Sequence, residues 1–302
     1  ITMTQLRKGV ILALVTAVIS GVAVFINKFG VSFWETSTLY TAGKNILAAV
    51  FLTTVMLTFV SWQQLKEITK QQWIKLGIIG VIGGSIPFVL FFKSLTLLPV
   101  SQAAFIHKTL FVWVAVLAIV FLKEKLTAFQ WVGMAILLAG VVMLGGPIGW
   151  SWGAGMWLAL IATLLWSVEN IIAKVVLKDV PALVVGWARM AFGSVLLIAY
   201  LVTQAQAVLL VPNSWPQFGW IVITGLVLFG YVATWYTALK HAPATVVSTV
   251  LVLAFPITVT LNKIWAGKFS SALIIPLAII VAGVVLYLES HKTVWKKILK
   301  VI

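Results

Sequence analysis

With 302 residues, of which 62% are hydrophobic and only 9% charged, the chain lacks the polar surface a soluble domain of this size needs. A formal net charge of +15 would suit nucleic acid, but the basic residues are scattered between apolar stretches rather than gathered into a patch, so no nucleic-acid partner is expected. Cysteine is absent, which excludes disulfides and thiolate metal ligation, and no metal or other cofactor is expected.

Apolar stretches long enough to cross a bilayer recur along the chain, and ten membrane helices are predicted. They cover about 9–29, 37–60, 74–96, 101–121, 127–145, 152–174, 181–203, 217–239, 243–264 and 271–290. The opening ITMTQ does not resemble a cleavable leader, and the apolar run behind it is expected to remain as the first helix. Arg7, Lys8, Lys66, Lys70, Lys75, Lys123, Lys125, Lys174, Lys178, Lys240 and the basic tail at 292–300 fall on one side of such a ten-span path. The opposite-side loops 146–151 and 204–216 are uncharged, so the positive-inside rule places both termini in the cytoplasm of a multi-pass plasma (inner) membrane protein.

The second half repeats the first. LALVTAVISGVAVFINK (12–28) aligns without a gap to LALIATLLWSVENIIAK (158–174), bringing Lys28 onto Lys174. SLTLLPVSQAAF (94–105) matches ALKHAPATVVST (238–249), and each half closes on a glycine-rich apolar helix, 135–144 and 278–288. The halves divide as 1–146 and 147–302. Five helices per half is an odd number, so the second half enters the membrane from the other side and the repeats are inverted. The fold class is an all-α membrane protein of ten transmembrane helices in two inverted five-helix repeats.

Residues 94–124, SLTLLPVSQAAFIHKTLFVWVAVLAIVFLKE, together with AGVVML (139–144) and ALKHAPATVVSTVLVLAFPITVTLNKIWAGK, resemble the drug/metabolite transporter superfamily, specifically its ten-helix EamA-type members. The resemblance spans nearly the whole chain. It implies a central cavity flanked by helices three, four, eight and nine, closed by one and six, with five and ten at the periphery. One departure from the pattern is that Glu124, the acid ending helix four, is answered in the second half by Gly267 or Lys268.

Ionisable groups inside spans mark candidate sites. Helix four sets Ser101, Gln102, Phe105, Lys108, Thr109 and Trp113 on one face, with His107 pointing away from it. Helix nine presents Thr245, Thr249 and Pro256, and helix eight presents Thr224, Tyr231 and Trp235. Lys28, Lys44, Lys93 and Lys108 could together form a cationic funnel, although Lys28 and Lys93 lie near helix ends, where snorkelling explains them. Glu169 in helix six neighbours Asn170 and shares a broad face with Trp166 and Thr163; Arg189 in helix seven reaches the same depth. A Glu169–Arg189 pair is expected, either structural or coupling proton movement to substrate; His107 is a lesser proton-carrier candidate. The substrate-binding candidates are therefore Lys108, Gln102, Thr109, Trp113, Lys44, Tyr231, Trp235, Thr249, Trp166 and Asn170. Pro87 and Pro256 should kink their helices, while Gly77, Gly80, Gly83 and Gly84 should serve close packing. Trp34, Trp62, Trp73, Trp150, Trp152, Trp215 and Trp220 lie near predicted span ends as an interfacial belt.

No phosphate-binding glycine loop, nucleophile elbow or HExxH motif is present, and no enzymatic activity is expected. The expected function is secondary active or facilitated movement of a small metabolite, an amino acid or similar compound, by alternating access and as an exporter. An anionic carboxylate or phosphate substrate is the alternative, and a non-transporting membrane scaffold is a third. The expected partners are the small-molecule substrate, membrane lipid and a coupling proton; the sequence carries no signal for oligomeric state.

Overall fold

A computed structural model describes residues 2–98, 100–145, 153–268 and 270–289, without the side chains of Val100 and Ser101. Ten helices long and apolar enough to span a membrane follow one another. They are α1 Met3–Val31, α2 Ser37–Phe59, α3 Lys70–Leu95, α4 Gln102–Leu122 and α5 Ala128–Gly145, then α6 Ala154–Val176, α7 Ala182–Thr203, α8 Trp215–His241, α9 Ala244–Trp265 and α10 Ser271–Glu289. The first begins six residues before the sequence reading placed it, because the polar segment MTQLRK continues the helix behind a Thr2–Gln5 capping box. Trp150, Trp152, the loop 146–151, the tail 292–300 and the side chain of Ser101 lie outside the described residues.

The bundle is two inverted five-helix repeats, and packing relations between unlike helices of the two repeats occur twice. Helix α1 lies on α8 and α9 of the other repeat, as α6 lies on α3 and α4. Helix α2 packs on α8 as α7 packs on α3, while α2 meets α7 and α5 meets α10 directly. Every long interface therefore joins one repeat to the other, and neither repeat buries its apolar faces alone.

Three central helices are interrupted. Helix α3 breaks at Ser85 (φ −136°, ψ −74°) between Lys70–Gly84 and Ile86–Leu95. Helix α4 breaks at Thr109, between Val100–Lys108 and Leu110–Leu117, and α9 breaks at Val252 and Leu253, between Ala244–Leu251 and Ala254–Trp265. Pro87 and Pro256 account for two of these, since each lacks the amide that would bond the carbonyl four residues earlier. In α9 that carbonyl, Val252, is taken instead by the Phe255 amide at 2.9 Å.

Glycine sets the closest approaches. A Cβ on Gly84 would lie 2.1 Å from the Arg189 carbonyl oxygen and 2.9 Å from Gly193 Cα, so α3 and α7 touch backbone to backbone. Gly77, grouped with it in the sequence, faces open space and has no such role. The two glycines separate in substitution. Gly84→Ala should destabilise the fold by about 2 kcal/mol or more through overpacking, whereas Gly77→Ala should be neutral or slightly stabilising. Melting of the purified variants in detergent reads the difference, and equal effects would contradict the packing described.

Candidate functional site

The break in α3 leaves the Gly83 carbonyl without its own helix partner, because residue i+4 is Pro87. Two side chains from the second repeat occupy it. Trp166 Nε1 on α6 donates at 3.0 Å and Arg189 Nε on α7 donates at 3.2 Å. A Cβ at position 83 would meet Glu169 Cγ at 2.6 Å and Arg189 Nε at 3.3 Å, so only glycine lets both charged side chains approach.

Glu169 and Arg189 are buried at 1% and 8% exposure and come together here, but a third residue stands between them. The Tyr236 hydroxyl on α8 donates to Glu169 Oε1 and also faces the Arg189 guanidinium. The expected two-member pair is thus a Glu169–Tyr236–Arg189 relay, with Arg189 also held on the Gly83 carbonyl. Next to it, Asn170 Nδ2 donates to the Trp166 carbonyl while its Oδ1 accepts from Trp235 Nε1 at 3.2 Å. Trp235 stacks on Tyr231 with ring centroids 6.1 Å apart and planes at 8°. Glu169, Asn170, Trp166, Arg189, Tyr231 and Trp235 therefore belong to one cluster. Tyr236 was missing from the sequence reading; its position five residues beyond Tyr231 puts it on another face of α8, and no spacing rule pointed to it.

Helix α4 contributes from the opposite wall, and adjacent residues diverge. The His107 ring packs 4.8 Å from Trp166 and 5.5 Å from Phe91, with Phe88 5.3 Å from Trp166. It lies in electrostatic range of both Lys108 and Arg189. Lys108 turns instead toward α9, where its Nζ lies 5.9 Å from the Phe255 ring centre. The lysine remains partly accessible in mid-bundle, and among the described residues no carboxylate, carbonyl or amide accepts a hydrogen bond from it. Thr109 bonds the Ile106 carbonyl at 2.7 Å and accepts from Trp113 Nε1 at 3.1 Å, which ties Trp113 to its own helix beside the α4 break. Gln102 lies half-buried in the first turns of α4.

Two parts of the sequence reading change. Thr249 is fully buried against Tyr287 of α10, and Thr245 bonds Glu124, so the threonine stripe of α9 serves helix packing and not the central cluster. The cationic funnel also divides. Lys28 donates to Asn262 Oδ1 at 2.7 Å among Phe25, Phe29 and Trp265, while Lys44 reaches Asn27 Oδ1 at 3.4 Å beside the Tyr40 ring. Lys93 is exposed. Asparagine and aromatic partners absorb the first two charges, which leaves Lys108 as the lysine at the centre.

An apolar groove of about 340 Å³ lies apart from this cluster between α1 and α8, lined by Val18, Ile19, Val22, Leu226, Val227 and Gly230.

Similarity to known proteins agrees with this architecture. A Sinorhizobium sp. protein described as an uncharacterized transporter is 26% identical over 132 residues, 44% of this chain and 92% of its own length. It is thus about as long as one repeat. A probable 4-amino-4-deoxy-L-arabinose-phosphoundecaprenol flippase subunit, ArnE, from Hamiltonella defensa is 35% identical over 91 residues, 29% of this chain and 77% of the relative. A solved crystal structure superposes with a TM-score of 0.75 over 92% of this chain and 96% of its own, at 19% identity, which speaks to the fold alone. The EamA-like transporter family matches twice, over residues 7–146 and 153–288. Ten spans, two inverted repeats and a double match across nearly the whole chain make this protein a member of the EamA-like transporter family.

Proposed function

We propose that the chain is a secondary or facilitative transporter that exports a small organic metabolite by alternating access of its two repeats. The observation that carries this reading is the mid-span interruption of α3, α4 and α9, the first of them at the polar cluster itself. Broken helices at the centre of inverted repeats release backbone polar groups where a substrate can use them, and give each helix a point about which to bend. Tyr231, Trp235, Trp166 and Asn170 supply aromatic and amide surface, and Lys108 supplies charge. The membrane is a plasma (inner) membrane with both termini cytoplasmic, a placement supported by the charge distribution of the loops.

Lys108 favours a narrower reading in which the metabolite is anionic. An ammonium group in mid-bundle whose neighbour among the described residues is the Phe255 ring costs free energy until a carboxylate or phosphate pairs with it. The cargo in the name of the Hamiltonella relative also carries a phosphate. A thermal-shift screen tests this, because a ligand that binds the folded state raises stability with its concentration over its Kd. Small carboxylates or phosphates should raise the melting temperature of the native protein and fail to do so for Lys108→Ala. Stabilisation only by neutral compounds, retained in Lys108→Ala, would remove the anionic reading and leave the broader one.

The Glu169–Tyr236–Arg189 relay supports proton coupling, since protonating Glu169 would remove the charge that helps hold the Arg189 guanidinium beside Tyr236 and Gly83. Glu169→Gln preserves shape and removes the charge. In liposomes, transport by the folded variant should lose its response to an imposed pH gradient, and an unchanged response would assign the relay a structural role only.

A further inference from the structure

The turn between α8 and α9, His241–Ala242–Pro243, is held from three sides by other helices. It sits on Gly9 of α1, where a Cβ would come within 2.5 Å of Ala242 Cβ. The N-terminus of α9 has no capping side chain of its own, since its preceding residue is Pro243. Glu124, just beyond the end of α4, takes that role from across the repeat boundary. Its carboxylate accepts from the Ala244 amide at 2.8 Å, the Thr245 amide at 3.2 Å and the Thr245 hydroxyl at 2.7 Å. Lys174 at the end of α6 caps the other arm, donating to the Leu239 and Ala242 carbonyls at the C-terminus of α8. An anion on a helix N-terminus and a cation on a helix C-terminus both lie with the helix dipole, so the two charges clamp one elbow.

The inverted counterpart of this elbow, between α3 and α4, keeps the seat, but the residues that answer Glu124 and Lys174 differ in charge or partner. Gly155 of α6 answers Gly9, with a Cβ meeting Leu98 at 2.4 Å. Lys28 answers Lys174 but bonds Asn262 Oδ1. The answer to Glu124 is settled by backbone conformation. Lys123 and Gly267 are the matching left-handed residues that end α4 and α9, at φ 57° and 60°, so Glu124 corresponds to Lys268. The acid that caps one elbow thus has an exposed base as its counterpart in the second repeat.

We propose that Glu124 and Lys174 are positioning residues for transport, a latch that holds the bundle closed on the Glu124 face, and that the Glu124/Lys268 reversal biases the resting protein toward that closed state. The latch rests on the alternating-access reading, but its test needs no substrate, so its failure is distinguishable from a wrong cargo. Natural absence of cysteine makes one introduced thiol an unambiguous reporter. Ser248 lies one turn beyond the latch in α9 at 2% exposure, and Ser248→Cys should be protected from a water-soluble maleimide. Glu124→Gln should accelerate its labelling about tenfold, the shift that loss of one good cap produces, and Lys174→Met should do the same. Lys268→Glu changes an exposed side chain and gives the second repeat the acid that the first carries at the matching position; by making the two repeats alike in charge there, it too should accelerate labelling. A cap with a merely structural role lowers the melting temperature and leaves Ser248→Cys protected. Labelling within twofold of the parent in folded Glu124→Gln and in Lys268→Glu would overturn the proposal.

Discussion

One backbone carbonyl organises the centre of this protein. Pro87 removes the amide that would satisfy Gly83, and a carbonyl left bare at that depth of a membrane bundle costs several kcal/mol. Trp166 and Arg189 satisfy it from two helices of the other repeat. Their commitment has consequences for everything adjacent. Arg189 held at Gly83 is close enough to stabilise a buried Glu169, Tyr236 completes that contact, and Trp166 held by its indole nitrogen becomes the wall against which His107, Phe88 and Phe91 pack. A helix break introduced by one proline thereby becomes a junction of α3, α6, α7 and α8.

The inverted repeat is followed by the apolar contacts and not by the polar ones. Apolar contacts obey the two-fold relation closely: α1 on α8 and α9 mirrors α6 on α3 and α4, and Gly9 mirrors Gly155 beneath the two elbows. Polar contacts do not obey it. Glu124 has a lysine for its counterpart, Lys174 and Lys28 choose different acceptors, and the Glu169 relay exists only in the second repeat's half of the cluster. Under the alternating-access reading proposed above, a symmetric scaffold would make two arrangements nearly equal in packing energy, and the asymmetric charges would decide between them.

Much of this was legible in the residues. Helix count, repeat inversion and the burial of Glu169 and Arg189 at one level followed from hydropathy, the odd number of spans and the cost of charge in hydrocarbon. Pro87 was legible as a kink, yet its true consequence lay one step further, at Gly83, because counting back four residues identifies a freed acceptor but not who takes it. Helical-wheel reasoning failed where it met tertiary contacts. Thr249 shares a stripe with Pro256 but faces Tyr287; the wheel did separate His107 from Lys108, yet not that the histidine would pack on Trp166 and the lysine turn to α9. Lys44 and Lys108 both read as lysines inside a span, and what separates them is that an asparagine of another helix reaches Lys44. That distinction is made by three-dimensional proximity alone.

The claim that Pro87 creates the junction by freeing Gly83 is tested most directly by a double-mutant cycle between Pro87→Ala and Trp166→Phe, read as unfolding free energy in detergent. Alanine at 87 restores an amide that can bond Gly83 within α3. Losing the Trp166 donor should then cost at least about 1 kcal/mol less than in the Pro87 background, a coupling well above the ~0.5 kcal/mol scatter of independent sites. Additive effects within that scatter would mean that Gly83 does not link the two residues, and would contradict the account.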